Sequence, residues 1–378
     1  MTSSASGPAR ELSPDLGAEW RRRRELEQEA AMPGGETTVS CSAVRGAGGL
    51  GRHSEEIEQA LARAGQGASA LSGAVDPDAR GAGRRPAIGV LRRLARFSAP
   101  WRAWLDCVAY DRHAAGRAAG SEHLIAFNGE SLAQISAARG QGIESVSLVS
   151  ANSHMEQVTR RHQLALRRYP IERAWSERLL ARNLREYSAV DRILCSSAYI
   201  RESFLEQGFP EDRLAWFPLI PDPRYRREAD RGARADTFEI LYIGTLTVAK
   251  GVPLLIDTVR RLGHPDLRLV LIGGWSTRGM RRFVQAACAA DARIAVRPGD
   301  PLPRLRTARL CVHASYEDGF AYAPAEALVA GVPTLVSADT GMKELITEGR
   351  NGLVLPTGDG EALGEAIDAA YRGEILDG

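Results

Sequence analysis

Lysine is almost missing from this chain: Lys250 and Lys343 are the only two in 378 residues, and arginine supplies the rest of the 49 basic side chains. Codon usage explains an arginine excess, yet it makes each lysine worth locating, because an ammonium is a mobile point charge and a guanidinium a rigid fork. Net charge is also small, +2 at neutral pH. That removes any global electrostatic argument for nucleic acid or an acidic partner. No apolar run reaches the roughly 18 residues needed to cross a bilayer, and Met1 to Asp15 has no apolar stretch of the kind a secretory leader needs. Cys41, Cys107, Cys195, Cys288 and Cys311 are odd in number and form no close pairs, so they read as reduced core residues. The expectation is a cytoplasmic protein. The chain also lacks an Asp-x-Asp in a credible loop, a histidine pair at metal spacing and a Gly-x-Ser-x-Gly elbow, so neither a metal nor a cofactor is expected.

At about 100–200 residues per domain the length divides into two domains, and 44% hydrophobic residues can fill two cores. Residues 1–36, rich in Ser, Ala, Pro and mixed charge, read as a mostly disordered tail with room for a short helix. Residues 37–220 read as an α/β domain: a strand from Thr37, a glycine loop, a helix with Ile57, Leu61 and Ala64 at helical spacing, then strands at 124–127, 146–149 and 192–195. Helices are expected at 132–139, 175–187 and 199–207, while 67–86 reads as loop or weak strand. Pro218, Pro221 and Pro223 preclude a helix and lead into a linker over 221–236. In 237–378 strands at 238–243, 267–272 and 293–296 alternate with helices at 252–262 and 279–290. Such alternation implies a parallel, doubly wound sheet in each domain.

The most informative stretch runs from Ser315 to Pro333. Asp318 and Glu326 stand eight positions apart on a loop and the following helix, which Gly331-Val332-Pro333 stops before a strand at 334–337. Strand, loop and helix together make the kind of mouth where open α/β sheets bind ligands, and a helix amino end suits a diphosphate. Gly244-Thr245-Leu246-Thr247-Val248-Ala249-Lys250-Gly251 stands in the same position after the first strand of the second domain. In these segments, and in Gly48-Gly49-Leu50-Gly51, the chain resembles the retaining glycosyltransferases of family 4, with the Glu-x7-Glu signature and the GT-B fold of two Rossmann-like domains facing a central cleft.

That resemblance implies a hexosyltransferase moving a sugar from a nucleotide diphosphate donor to a glycan or lipid-linked acceptor, in polysaccharide or glycoconjugate biosynthesis. It also implies roles. Lys250 would neutralise the leaving diphosphate, and Glu326 would accept the ribose hydroxyls. Asp318, with the N–H groups of Gly319, Phe320 and Ala321, would hold the donor sugar and β-phosphate, and Glu317, one place early, competes for the part of Asp318. Gly244 and Thr245 belong to the donor loop, Thr245 standing where many relatives have arginine. Gly48, Gly49 and Gly51 would let the backbone approach donor and acceptor, and His154 would orient the donor sugar. Family members usually continue into a helix that crosses back to the first domain, and the chain ends at Gly378 before it.

Two other readings stay open. Gly46 to Gly51 satisfies Gly-x-Gly-x-x-Gly, so a dinucleotide-dependent oxidoreductase is one, with Asp76 or Asp78 as its ribose acid. A non-catalytic nucleotide-sugar-binding protein is the other. His313 reads as a core histidine, and His53, Glu55 and Glu56 as capping or solvated residues. Residues 84–105 mix arginines with Trp101 and Trp104; they suit a peripheral contact with anionic lipid at the inner face of the membrane, or a core-facing helix with solvated arginines.

Overall fold

The computed structural model describes residues 16–72, 99–174, 177–226 and 237–376. The first sheet contains β1 (Thr37–Cys41), β2 (Ala68–Ser72), β3 (His123–Phe127), β4 (Ser145–Ser150), β5 (Arg192–Cys195) and β6 (Leu214–Trp216), in the order β2-β1-β3-β4-β5-β6. The second contains β7 (Phe238–Ile243), β8 (Leu267–Ile272), β9 (Ile294–Val296), β10 (Leu310–His313), β11 (Thr334–Ser337) and β12 (Gly352–Leu355), in the order β12-β11-β10-β7-β8-β9. Every pairing is parallel. Central strands such as β1, β3 and β10 are buried along their whole length, as strands covered on both faces by helices must be.

The doubly wound, two-domain fold expected from the alternation is therefore present. Strand order reverses between β1 and β3 in one sheet and between β7 and β10 in the other, and these reversals are where such sheets open a crevice at their carboxyl ends.

The structure decides several expectations that the sequence left open. The segment 1–36 is not a tail throughout: Ala18–Ala31 is a helix, although residues 1–15 lie outside the described residues. The helix packs Ala31 and Trp20 on an apolar cluster and is also held by polar contacts. Gln28 Nε2 donates to Pro218 O at 2.8 Å and Glu56 Oε2 at 3.0 Å, and Trp216 Nε1 donates to Glu27 at 3.0 Å. The weak strand considered in 67–86 is β2, the edge of the first sheet. Residues 84–98, Asp76, Asp78 and Trp175 lie outside the described residues. Beyond them, Ala99–Ala114 is a helix on which Trp101 and Trp104 meet edge to face under the Arg178 guanidinium. No helix of the described residues is long and apolar enough to cross a membrane. Cys41, Cys195 and Cys311 are buried and free, and burial pushes their thiols up to about 12.

The helix Met155–Arg168 went unrecognised in the sequence and does much to join the domains. Its Ala165, with Tyr169 just beyond, packs into the second domain's core beside Val252, Leu255 and Tyr316. A second cluster also crosses the boundary, setting Val39, Ile57, Phe127 and Phe217 against Phe320, Ala325, Val336 and Met342.

Candidate active site

Two loops leave the second sheet at its reversal point and converge. After β7 the chain runs through Gly244 to Lys250, with Tyr242 Oη donating to Thr245 O at 2.8 Å and leaving the Thr245 side chain exposed. Glu172 of the first domain fastens this loop, accepting from Thr247 Oγ1 at 2.5 Å and Val248 N at 2.7 Å, and from Ser276 Oγ. At Gly251 the backbone turns left-handed, φ 70°, and a Cβ would stand 1.8 Å from Ala314 O, so only glycine lets the two loops touch.

That contact places Lys250 over the second loop. Its Nζ lies 2.7 Å from Asp318 Oδ2 and 3.2 Å from Glu317 O, while His313 Nε2 stands 3.0 Å from the same Asp318 oxygen. Burial alone would raise the Asp318 carboxyl, but Lys250 and His313 outweigh it and hold the group well below the usual carboxylate range. Asp318 is thus ionised at neutral pH. His313, read from the sequence as a core residue, is buried but serves as a partner to Asp318.

Glu317 points the other way. Its carboxylate accepts from Asn152 Nδ2 at 3.0 Å and Ser153 N at 2.9 Å, both in the first domain. Gly319 is equally tied to that domain: Ser197 Oγ donates to Gly319 O at 2.6 Å, and a Cβ on Gly319 would come within 2.2 Å of Ala151 O. Ala321 adopts φ 66°, a left-handed conformation that costs an alanine energy, and it opens the helix Tyr322–Val329 without a capping side chain. The N–H groups of Gly319, Phe320 and Ala321 have no hydrogen-bond partner among the described residues. Strain and open donors at one helix amino end make a place where an anion is stabilised.

Glu326 lies one turn into that helix and is buried. Its counterion comes from the first domain: Arg52, on the helix Gly48–Arg63, places Nη2 2.5 Å from Glu326 Oε1 and its guanidinium 4.2 Å from the centre of the Tyr322 ring. Burial raises the Glu326 carboxyl and Arg52 opposes that shift. One turn along the same helix, Glu56 accepts from Tyr322 Oη at 2.7 Å and Ile220 N at 3.1 Å. Burial pushes Glu56 up to about 7 despite these donors. Sequence reasoning gave Glu56 a solvated or capping role and passed over Arg52; the structure makes both part of the domain interface.

The glycine loop precedes these residues. Gly48 and Gly49 face open space, whereas a Cβ at Gly51 would stand 2.0 Å from Val44 O. His154 is not gathered with the acids. It caps Met155–Arg168, accepting from Glu156 N through Nδ1 at 3.4 Å, and packs on Tyr187 and Phe204 with ring centres 5.0 Å away. His162 lies two turns further along the same helix. It is buried, and its proton affinity is lowered to about 4 by burial and then by Lys250. The only cluster of possible metal ligands among the described residues is Glu122, His123 and Glu144, at the opposite, amino end of the first sheet. Both ring nitrogens of His123 are already engaged there, by Ser145 Oγ and Gly34 O.

Comparison with known proteins places these loops in a family context. Residues 226–377 match the family described as glycosyl transferases group 1. D-inositol 3-phosphate glycosyltransferase of Mycobacteroides abscessus is 29% identical over 167 residues, which cover 42% of this chain and 36% of the relative. The chain thus spans well under half the length of that curated relative. Among solved structures, sucrose-phosphate synthase from Thermosynechococcus elongatus superposes with a TM-score of 0.66 at 17% identity, covering 90% of each chain. The catalytic domain of starch synthase IV from Arabidopsis thaliana, bound to ADP and acarbose, superposes with a TM-score of 0.62 at 12% identity, covering 90% of this chain and 92% of that one. The chain has the GT-B fold, and its second domain, with Lys250, Asp318 and Glu326, falls within the stretch that matches the group 1 glycosyl transferases.

Proposed function

We propose that this protein is a retaining, family 4-like glycosyltransferase that takes a sugar from a nucleoside diphosphate donor and passes it to a hydroxyl of a glycan or lipid-linked acceptor. The observation that carries the reading is the Lys250–Asp318 pair, 2.7 Å apart where two loops meet at the reversal point of the second sheet, beside a helix amino end with open N–H groups. The diphosphate lies against that helix end, with Lys250 as its countercharge in the role a metal would otherwise fill. Glu326 takes the ribose hydroxyls, and Asp318 accepts from the donor sugar.

In the reaction the bond between the anomeric carbon and the β-phosphate oxygen breaks, and its electron pair leaves with the diphosphate. The acceptor hydroxyl attacks from the same face and gives its proton to the departing phosphate oxygen. No carboxylate nucleophile is required, so positioning and fixed positive charge supply the rate. The relative named for D-inositol 3-phosphate and the starch synthase solved with ADP support this class of donor and acceptor without fixing either. Trp101, exposed beside Trp104 and Arg178, suits a peripheral contact with a lipid headgroup layer.

The test is nucleotide release from UDP-, GDP- and ADP-hexoses, with the anomeric configuration of the product read by proton NMR. Release from one donor with a retained anomer supports the proposal. No release from any donor, or an inverted product, contradicts it.

A further inference from the structure

A departing diphosphate carries more negative charge than one ammonium balances, and the second domain offers little else. In the loops 244–251 and 314–321 Lys250 is the only basic side chain, with Thr245 where a second could stand. The first domain brings another cation to the helix that follows the second loop. Arg52 lies over Tyr322, the first residue of the helix whose amino end bears the open N–H groups, and is half-buried against Glu326. In the site without ligand Lys250 pairs with Asp318 within one domain and Arg52 pairs with Glu326 across the cleft.

We propose that Arg52 is the second cation of the diphosphate site, taking the place of the side chain that the loop lacks at Thr245. The assignment rests on the donor reading given above and deepens it. When ribose hydroxyls donate to Glu326 they replace the guanidinium at Oε1. The freed planar fork has the geometry to grip phosphate oxygens, and it is held within reach by its packing on Tyr322. Because Arg52 belongs to the first domain, the leaving group is fully neutralised only while the two domains are docked. Glu56, on the same helix and bonded to Tyr322 Oη, positions Arg52 by fixing that helix against Tyr322–Val329.

The test is titration calorimetry with UDP and uridine, GDP and guanosine, and ADP and adenosine, on the parent, Lys250→Ala, Arg52→Gln and Arg52→Gln/Thr245→Arg. The expected result is that Arg52→Gln weakens the cognate diphosphate by at least about tenfold while the nucleoside binds as in the parent or tighter, and that adding Thr245→Arg recovers most of the loss. Equal loss for diphosphate and nucleoside would reveal a purely structural clasp and overturn the assignment. A double variant as weak as Arg52→Gln would overturn it too. Diphosphate binding that Lys250→Ala abolishes and Arg52→Gln leaves intact overturns the role of Arg52 while the donor reading stands. A parent that binds no diphosphate removes both. If Arg52→Gln does not fold, Arg52→Lys carries the test: a charge without the fork should cost the diphosphate about threefold or more and the nucleoside nothing, and unchanged diphosphate affinity would overturn the proposal.

Discussion

Single residues in this protein are tuned by what surrounds them, and His53 gives a direct example. Its ring lies between Phe127 and Phe217, its Nε2 is buried without a hydrogen bond, and burial lowers its proton affinity to about 3. The unfolded chain takes this proton below about pH 6.5, the folded chain only near 3, so the stability His53 lends is complete above pH 6.5 and drains away as pH falls through that window. The slope amounts to about 1.4 kcal/mol per pH unit. His53→Phe keeps the aromatic packing and should flatten acid denaturation between pH 6.5 and 4; urea melts across that range check it, and an unchanged slope would contradict the account. Glu326 answers to ligand instead. Glu326→Gln removes the negative acceptor assigned to ribose, and the donor nucleotide should bind about tenfold more weakly while acceptor affinity holds, as inhibition kinetics with each substrate would report.

At the scale of elements the two domains are joined through backbone that leaves no room for a side chain. Gly319→Ala would drive a Cβ to 2.2 Å from Ala151 O, a main-chain atom that cannot step aside. The helix Tyr322–Val329 must then move off the first domain, with loss of most transfer activity and a larger radius of gyration in solution scattering; an active, equally compact Gly319→Ala would refute the docked arrangement. The elements also differ in how readily the sequence reveals them. β7, β8 and β11 are apolar runs of ordinary length and were readable to the residue. The helix Met155–Arg168 was not, because its buried face includes the polar Gln157 and His162, and Gln157 finds its partner, Tyr199, 42 positions away. Ala18–Ala31 was legible only as a short helix within a tail, since Gln28 and Ala31 are its only fully buried residues and two of its anchors are hydrogen bonds to residues about 190 positions away.

On the scale of the whole molecule, the candidate site is a meeting of local motifs with remote partners. Lys250, Asp318 and Glu326 stand on loops and a helix that follow strands, and the resemblance carried by the segments around them is what singled them out. Arg52, Glu56, Glu172 and His162 could not be found so, since their roles come from contacts across the cleft between domains. Closure of that cleft rests on such polar contacts together with the shared apolar cluster of Phe127, Phe217 and Phe320.

The central claim is that Lys250 and its loop receive a nucleoside diphosphate. Titration calorimetry of the cognate nucleoside diphosphate into the parent and into Lys250→Ala tests it most directly. The account predicts saturable one-site binding to the parent and a loss of at least about tenfold in Lys250→Ala, since a charge-assisted contact contributes about 1.5–3 kcal/mol, with the free variant still folded by circular dichroism. Equal affinity of the two proteins for the diphosphate would contradict it.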